Sequence, residues 1–233
     1  MAMSSESTTR QPRNESTVSR DMKFFMRMLE ERLGQVRKVV PASKVPPGKA
    51  GPWQVSRFKP EFTPMQIVRA MVGRELGRGI TPTNRTYTRL TYNGNVMMSD
   101  TLDECVDMIP ILNVAVGRVL VTGMGLGVVT SALCRLNAVT EVHVVEKDKQ
   151  LAGLVERHIA HPKLTVHYAD AFTWEPPTGL GFDCAWHDIW LILSADNLPE
   201  MAKLRRKYGK WMNSARAQLC WGEVQCREME RGW

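Results

Sequence analysis

Three glycines stand at alternate positions in the stretch RVLVTGMGLG, residues 118–127: Gly123, Gly125 and Gly127. Lacking a Cβ, glycine lets a backbone turn sharply and approach a ligand closely. A helix that begins just after such a loop turns its free N–H groups and its positive end towards the same ligand. Glu146 closes the next apolar run, EVHVVE, and Asp170 closes the one after it, in YADAF. A carboxylate at the first place can accept both hydrogen bonds of a ribose diol, and one at the second can accept from an adenine amino group. Three such features at consecutive strand ends suit the holding of a nucleoside. Dinucleotide loops read G-x-G-x-x-G and need glycine at 128, where this chain has Val128, so the pattern turns away from NAD.

A second cluster, AWHDIW at 185–190, closes a fourth apolar run. Asp188 can orient or deprotonate an amine or hydroxyl, and His187 can do the same near neutral pH. Neighbouring residues on a strand face opposite sides, so only one of them lines a common site, and Asp188 is the stronger candidate. Trp190 either stacks on a bound ring or packs as a core aromatic.

The elements that must position these residues follow from periodicity. From Arg118 onward short apolar strands alternate with helices: RVLVT, LGVVTSALCRLN, EVHVVE, DKQLAGLVERHIA, LTVHYAD, FDCAWHD, LPEMAKLRRKYGKWM and a last strand RAQLCWGEV. That alternation predicts a mostly parallel, doubly wound Rossmann-like α/β sheet. Few residues follow the last strand, so the sheet is expected to be short at its C-terminal edge. That edge then needs cover from the N-terminal helix, the tail or a second copy of the chain.

Residues 21–40 carry Phe25, Met28, Leu29, Leu33 and Val36 at helical spacing. The helix so predicted packs either on its own domain or on a partner. Residues 41–53 read as a Pro/Gly linker, and Thr63-Pro64-Met65-Gln66 as a capping box opening a helix that runs to about Leu76. Asn93-Gly94, inside the alternating stretch 86–101, predicts a β-hairpin. Three regions result: a disordered tail at 1–20, a helical and hairpin extension at 21–117, and a nucleoside-binding domain at 118–233.

Composition sets the outer bounds. The chain has 233 residues and a formal net charge of +7. Such a charge permits nucleic acid as a partner without requiring it. The basic run KLRRKYGK at 203–210 reads as a solvated helix face. No apolar run is long enough to span a membrane, and the polar N-terminus carries no secretory signal. Five scattered cysteines without a C-x-x-C pair argue against a disulfide framework and a zinc site, and for a reducing, cytoplasmic setting.

On the glycine loop, Glu146 and Asp170, residues 118–190 resemble the class I S-adenosylmethionine-dependent methyltransferases. The resemblance implies that Gly123, Gly125 and Gly127 cradle the methionine part of the donor. Glu146 would bind the ribose, with Lys147 beside it, and Asp170 and Ala171 would contact the adenine. The family's usual acid two residues before the first glycine is Val121 here, a departure shared with the spermidine-synthase-like branch. That branch is also similar in placing a hairpin before the glycine loop, here NGNVMMSDTLDE, and its catalytic Asp five residues after a Phe-Asp or Tyr-Asp, here Phe182-Asp183 and Asp188. Its second catalytic Asp has no counterpart, since Leu191 stands at that position. Motifs of the common DNA methyltransferases are absent: no Pro-Pro follows Asp188, and no Pro-Cys occurs. Three readings stay open. They are a methyltransferase of unknown acceptor in which Asp188 positions that acceptor, an aminopropyltransferase, and a non-catalytic nucleoside-binding or assembly protein. Neither a metal nor a membrane enters any of them.

Overall fold

The computed structural model describes residues 15–71, 81–213 and 218–232. Helix α1 (Glu15–Val39) leads into an antiparallel sheet of β1 (Gly48–Ala50), β2 (Trp53–Phe58), β3 (Tyr87–Tyr92) and β4 (Asn95–Ser99), adjacent in that order. Helix α2 (Pro64–Met71) lies between β2 and β3 in the chain, and α3 (Leu102–Asp107) and α4 (Ile109–Val114) follow β4. The second sheet holds β5 (Gly117–Thr122), β6 (Val139–Glu146), β7 (Leu164–Tyr168), β8 (Cys184–His187) and β9 (Gln218–Cys220). All its strands are parallel, in the order β7-β6-β5-β8-β9. Helices α5 (Val128–Arg135), α6 (Lys149–Ile159) and α7 (Asn197–Gly209) connect its strands, and α8 (Glu223–Glu230) follows β9. This is a doubly wound, Rossmann-like α/β sheet.

β5 is central because both its faces are apolar. Val119 and Val121 pack with residues of α5, α6 and the antiparallel sheet, whereas Leu120 packs with Ala185 and with Met201, Leu204 and Tyr208 of α7. The period of two along a strand thus feeds two core layers. The chain winds from β5 outward to β6 and β7, then crosses back to β8 on the other side. The carboxyl ends of β5 and β8 therefore diverge at a topological switch point, where open α/β sheets bind ligands.

Asp100, buried after β4, ties the N-terminal elements together. Its carboxylate accepts from the backbone N–H of Thr88 at 2.7 Å and of Ser43 at 2.9 Å. Arg37 of α1 donates to its carbonyl and lies 3.9 Å from its carboxylate. The hairpin forms as expected, with Asn93 (φ 49°) and Gly94 (φ 84°) supplying the two positive angles of a primed turn. The capping box also forms: Thr63 N–H donates to Gln66 Oε1 at 2.8 Å, and Gln66 N–H to Thr63 Oγ1 at 3.3 Å. The rest of that predicted helix, 72–76, lies outside the described residues.

Several expectations are corrected. α1 starts at Glu15, within the segment expected to be disordered, and residues 1–14 lie outside the described residues. Its apolar stripe is Leu29, Leu33 and Val36, continued by Val40 just beyond the helix, and it packs on this chain; Met28 is exposed. The supposed linker at 41–53 contains β1, which pairs with β2 across a turn at Gly51 (φ 56°). The last strand stops at Cys220, because Gly222 (φ 68°) caps α8. No strand follows β9 among the described residues. The basic run on α7 sets Lys203 over the ring of Phe172, Lys207 over Tyr208 and Lys210 over Trp211, so part of its charge is spent within the chain. All five cysteines are free and buried, and burial pushes the Cys105 and Cys220 thiols up to about 12. Neither of those two supplies a thiolate. No helix among the described residues is long and apolar enough to cross a membrane.

Candidate nucleoside-binding and active site

The strand ends open into one cavity of about 300 Å³. Gly123 and Gly125 line it after β5, Glu146 and Lys147 after β6, Asp170 and Ala171 after β7, and Asp188 and Trp190 after β8. Gly127 and His187 are not among its lining residues.

Each glycine has its own reason. Gly123 sits at φ 90°, and a Cβ there would lie 2.0 Å from the Asp188 carbonyl oxygen. The loop after β5 and the chain leaving β8 are therefore in backbone contact, which no side chain permits. Gly125 (φ 49°) faces the Met98 sulfur, and a Cβ would come within 2.4 Å of it. Met98 reaches over from β4, where its sulfur accepts from the Leu126 N–H at 3.1 Å. Gly127 (φ 67°) meets Ile159 and Val155 of α6 instead. It lets α5 start close against α6.

Glu146 is buried and braces the loop. Its Oε2 accepts from the Met124 N–H at 2.9 Å and its Oε1 from the Asp148 N–H at 2.7 Å. A carboxylate has about four acceptor positions, so two remain for a ligand. Asp170 Oδ1 accepts from the Phe172 N–H at 2.7 Å, which turns the chain after β7. Trp190 is both core and lining: its indole N–H donates to Glu200 of α7 at 2.9 Å, and its ring is 8% exposed.

His187 is corrected as a catalytic candidate. It is fully buried on the α7 side of β8, stacked on Tyr208, with Nδ1 3.0 Å from Thr122 Oγ1 and Nε2 3.3 Å from Gln218 Oε1. Burial pushes it down to about 4, so it stays neutral and serves packing. Asp188 faces the cavity, as alternation along β8 requires. Burial raises its carboxyl to about 7, opposed by the neighbouring Trp186 indole N–H and helped by the charge of Asp107. Next to it the indole N–H of Trp186 is buried without a hydrogen bond of ordinary geometry.

Other lining groups escaped the sequence reading. Trp53 of β2 lines the cavity, and its indole N–H donates to Asp148 Oδ2 at 2.7 Å, which latches the antiparallel sheet over the site. Tyr92 packs edge-on against Trp53, with ring centroids 4.8 Å apart. Trp221, just after β9, lines the cavity as well. Glu104 of α3 enters from the side, and its Oε1 accepts from the N–H and the Oγ of Ser99 at 2.9 and 3.0 Å. Burial raises the Glu104 carboxyl to about 7, opposed by the Ser99 bonds and helped by the charges of Asp188 and Asp107. The one legible sign of this group was the acidic pair Asp103-Glu104 after the hairpin.

No protein-family model and no curated protein matches the sequence. Among solved structures, the 23S rRNA methyltransferase ErmE aligns at 28% identity over 36% of this chain and 35% of its own, with a TM-score of 0.31. The N-methyltransferase NodS from Bradyrhizobium japonicum WM9 aligns at 14% identity over 53% of this chain and 69% of its own, with a TM-score of 0.40. A dimethyladenosine transferase from Plasmodium falciparum aligns at 22% identity over 41% and 35%, with a TM-score of 0.32. The matched part thus spans about a third of ErmE and of the Plasmodium protein. The fold assignment rests on the strand order described above.

Two predictions follow from this geometry. Gly123→Ala opposes backbone and is expected to cost about 3 kcal/mol or more, whereas Gly125→Ala opposes a flexible thioether and is expected to cost about 1 kcal/mol. Urea denaturation of both variants checks this, and equal losses would contradict the backbone contact. The second concerns pH. The folded protein holds a proton on Glu104 from the ordinary value of 4.5 up to about 7. Its desolvation cost is therefore absent near pH 5 and felt near pH 8. Relative to Glu104→Gln, the wild type is expected to lose on the order of 1–2 kcal/mol of stability between those two pH values. A difference that does not change with pH contradicts the raised carboxyl.

Proposed function

We propose that this protein is an S-adenosylmethionine-dependent methyltransferase. The observation that most supports the reading is the charge of the cavity. Its lining carries five carboxylates (Glu104, Glu146, Asp148, Asp170 and Asp188) and one cation, Lys147. A pyrophosphate would meet like charge there, which costs several kcal/mol, whereas a sulfonium meets opposite charge. Carboxylates accept and never donate when ionised, so Glu146 and Asp170 suit a ribose diol and an amino group. Gly123 and Gly125 leave room where a side chain would stand, and Ala171 and Trp190 offer an apolar wall to a flat ring. These residues fit such a donor.

In this reading Gly123 and Gly125 hold the amino-acid end, Glu146 the ribose with Lys147 at the rim, and Asp170 and Ala171 the adenine. The donor, when bound, supplies an activated methyl group. The protein's part is then alignment and proton removal. Asp188 orients the acceptor, and a carboxyl held near 7 can take its proton at neutral pH. Gly127 and His187 act only through packing.

We place the chain nearest the spermidine-synthase-like branch, because the hairpin β3–β4 lends Met97 and Met98 to the cavity and Asp188 follows Asp183 at that branch's interval. Residues 21–117 then serve as a cover over a donor-binding domain at 118–233. Transfer of an aminopropyl group is the weaker form of this reading, since Leu191 stands where a second acid is wanted. Buried free thiols suit a cytoplasmic setting.

Isothermal titration with S-adenosylhomocysteine tests the reading. Binding is expected for the wild type, with NAD inert, and Glu146→Ala is expected to weaken it by about tenfold or more. An unchanged affinity in that variant would overturn the ribose assignment, and binding of NAD instead would overturn the reading.

A further inference from the structure

The excess positive charge of the chain lies at one end. Residues 1–71 hold 13 Lys and Arg against 6 Asp and Glu, whereas residues 72–233 hold 18 of each kind. The formal charge of +7 therefore falls within residues 1–71, and the rest of the chain is neutral. Lopsided charge of this kind is the electrostatic footprint of a surface for a polyanion. The basic run on α7 is not that surface, because Arg205 pairs there with Glu223 and Lys210 with Glu175.

On α1 the cations are sorted by face. Leu29, Leu33 and Val36 are buried in this chain. A helix turns by about 100° per residue, so Arg20, Lys23, Arg27 and Lys38 project from the opposite side, and all four are exposed. They mark out about 27 Å of helix. Phe24 and Met28, 56% and 46% exposed, stand on the same arc. The Arg27 guanidinium lies 5.9 Å from the centre of the Phe24 ring. Among the nearby acids, Glu30 accepts from the Asn84 N–H at 2.8 Å and from Arg85 at 2.6 Å, Glu31 stands within the arc, and Asp21 lies at its edge. A line of exposed cations with an exposed aromatic among them is the combination that tracks a phosphate backbone and stacks a base.

We propose that the outward face of α1 binds single-stranded nucleic acid, with Arg20, Lys23, Arg27 and Lys38 on the phosphates and Phe24 under a base. A duplex keeps its base faces covered and so engages only the cations. An anionic bilayer would take up an apolar helix face, and that face of α1 is already spent in the core. The cavity at the strand ends, with its five carboxylates, repels phosphates, so the strand stays on the outside of the cover. This surface is independent of what the cavity holds.

The probe is a labelled oligouridylate of about 20 nucleotides, titrated with the full chain at about 50–200 mM salt and followed by fluorescence anisotropy. Binding is expected. The triple variant Arg20→Gln, Lys23→Gln, Arg27→Gln is expected to weaken it by about tenfold or more and to reduce the slope of log affinity against log salt by about 2. A matched variant, Lys203→Gln, Arg206→Gln, Lys210→Gln, removes the same charge from α7 and is expected to change the affinity less than about twofold. Phe24→Ala is expected to weaken the single strand by about fivefold or more and to leave a duplex of equal length within about twofold. No binding overturns the proposal, as do equal losses in the two triple variants, which would make net charge the cause. Polyglutamate or phosphatidylserine vesicles that bind as tightly as the oligonucleotide would assign the face to another partner and overturn it too. Should the α1 triple variant not fold, Phe24→Ala on single strand and duplex decides alone; equal effects there, or none, overturn the proposal.

Discussion

The loop after β5 rests directly on the chain that leaves β8. At Gly123 the distance to the Asp188 carbonyl leaves no room for a Cβ, and the Asp188 N–H in turn donates to the Thr122 carbonyl at 2.9 Å. The two strands meet at the switch point of the sheet, so this backbone contact fixes the position of everything that projects there. Asp188 points into the cavity because β8 is held in register by it, and His187 points away for the same reason. Glu146 completes the arrangement from β6, since its carboxylate grips Met124 on one side and Asp148 on the other. A ligand that engages Glu146 therefore acts on the same residue that sets the loop.

The antiparallel sheet converts an open sheet edge into a closed site. Its contribution is made by a few long-range contacts. Trp53 bonds to Asp148, the N-cap of α6, and Met98 lays its sulfur against the glycine loop. Asp100 and Arg37 tie α1, the hairpin and the start of α3 together. The cover also supplies Glu104, which places a carboxyl opposite Asp188. Neither half of the molecule makes the acid-lined junction alone.

Legibility followed the range of the interactions. β5, β6 and β8 could be read because strands buried on both faces leave an unbroken apolar run, whereas β7, at the sheet edge and only partly buried, was read from its short run LTVHYAD after a helix. The hairpin could be read because Asn93-Gly94 demands positive φ angles at one place. β1 could not, since a three-residue strand in GKAGPW differs from a linker only through its pairing with β2. Helices α3 and α4 are too short to show a period. Of the candidate site, the strand-end residues Gly123, Glu146, Asp170 and Asp188 were visible, while the distinct role of Gly127 depends on Ile159, a contact across the fold. His187 looked like a general base by residue type; its burial against Tyr208 is a tertiary fact. Trp53 and Glu104 reach the cavity from elements distant in sequence; nothing in the local pattern marks Trp53, and Glu104 shows only as part of the acidic pair after the hairpin.

A nucleoside in the cavity at the ends of the four parallel strands would engage the glycine loop, Glu146 and Asp170. Amide chemical-shift mapping on the isotope-labelled protein tests it most directly, with S-adenosylhomocysteine added to saturation. The largest shifts are expected at residues 123–126, 146–148 and 170–172, with α7 and α8 nearly unmoved. Shifts spread elsewhere, or none at all at saturating ligand, would contradict it and leave GMGLG a turn that serves only the packing of β5 against β8.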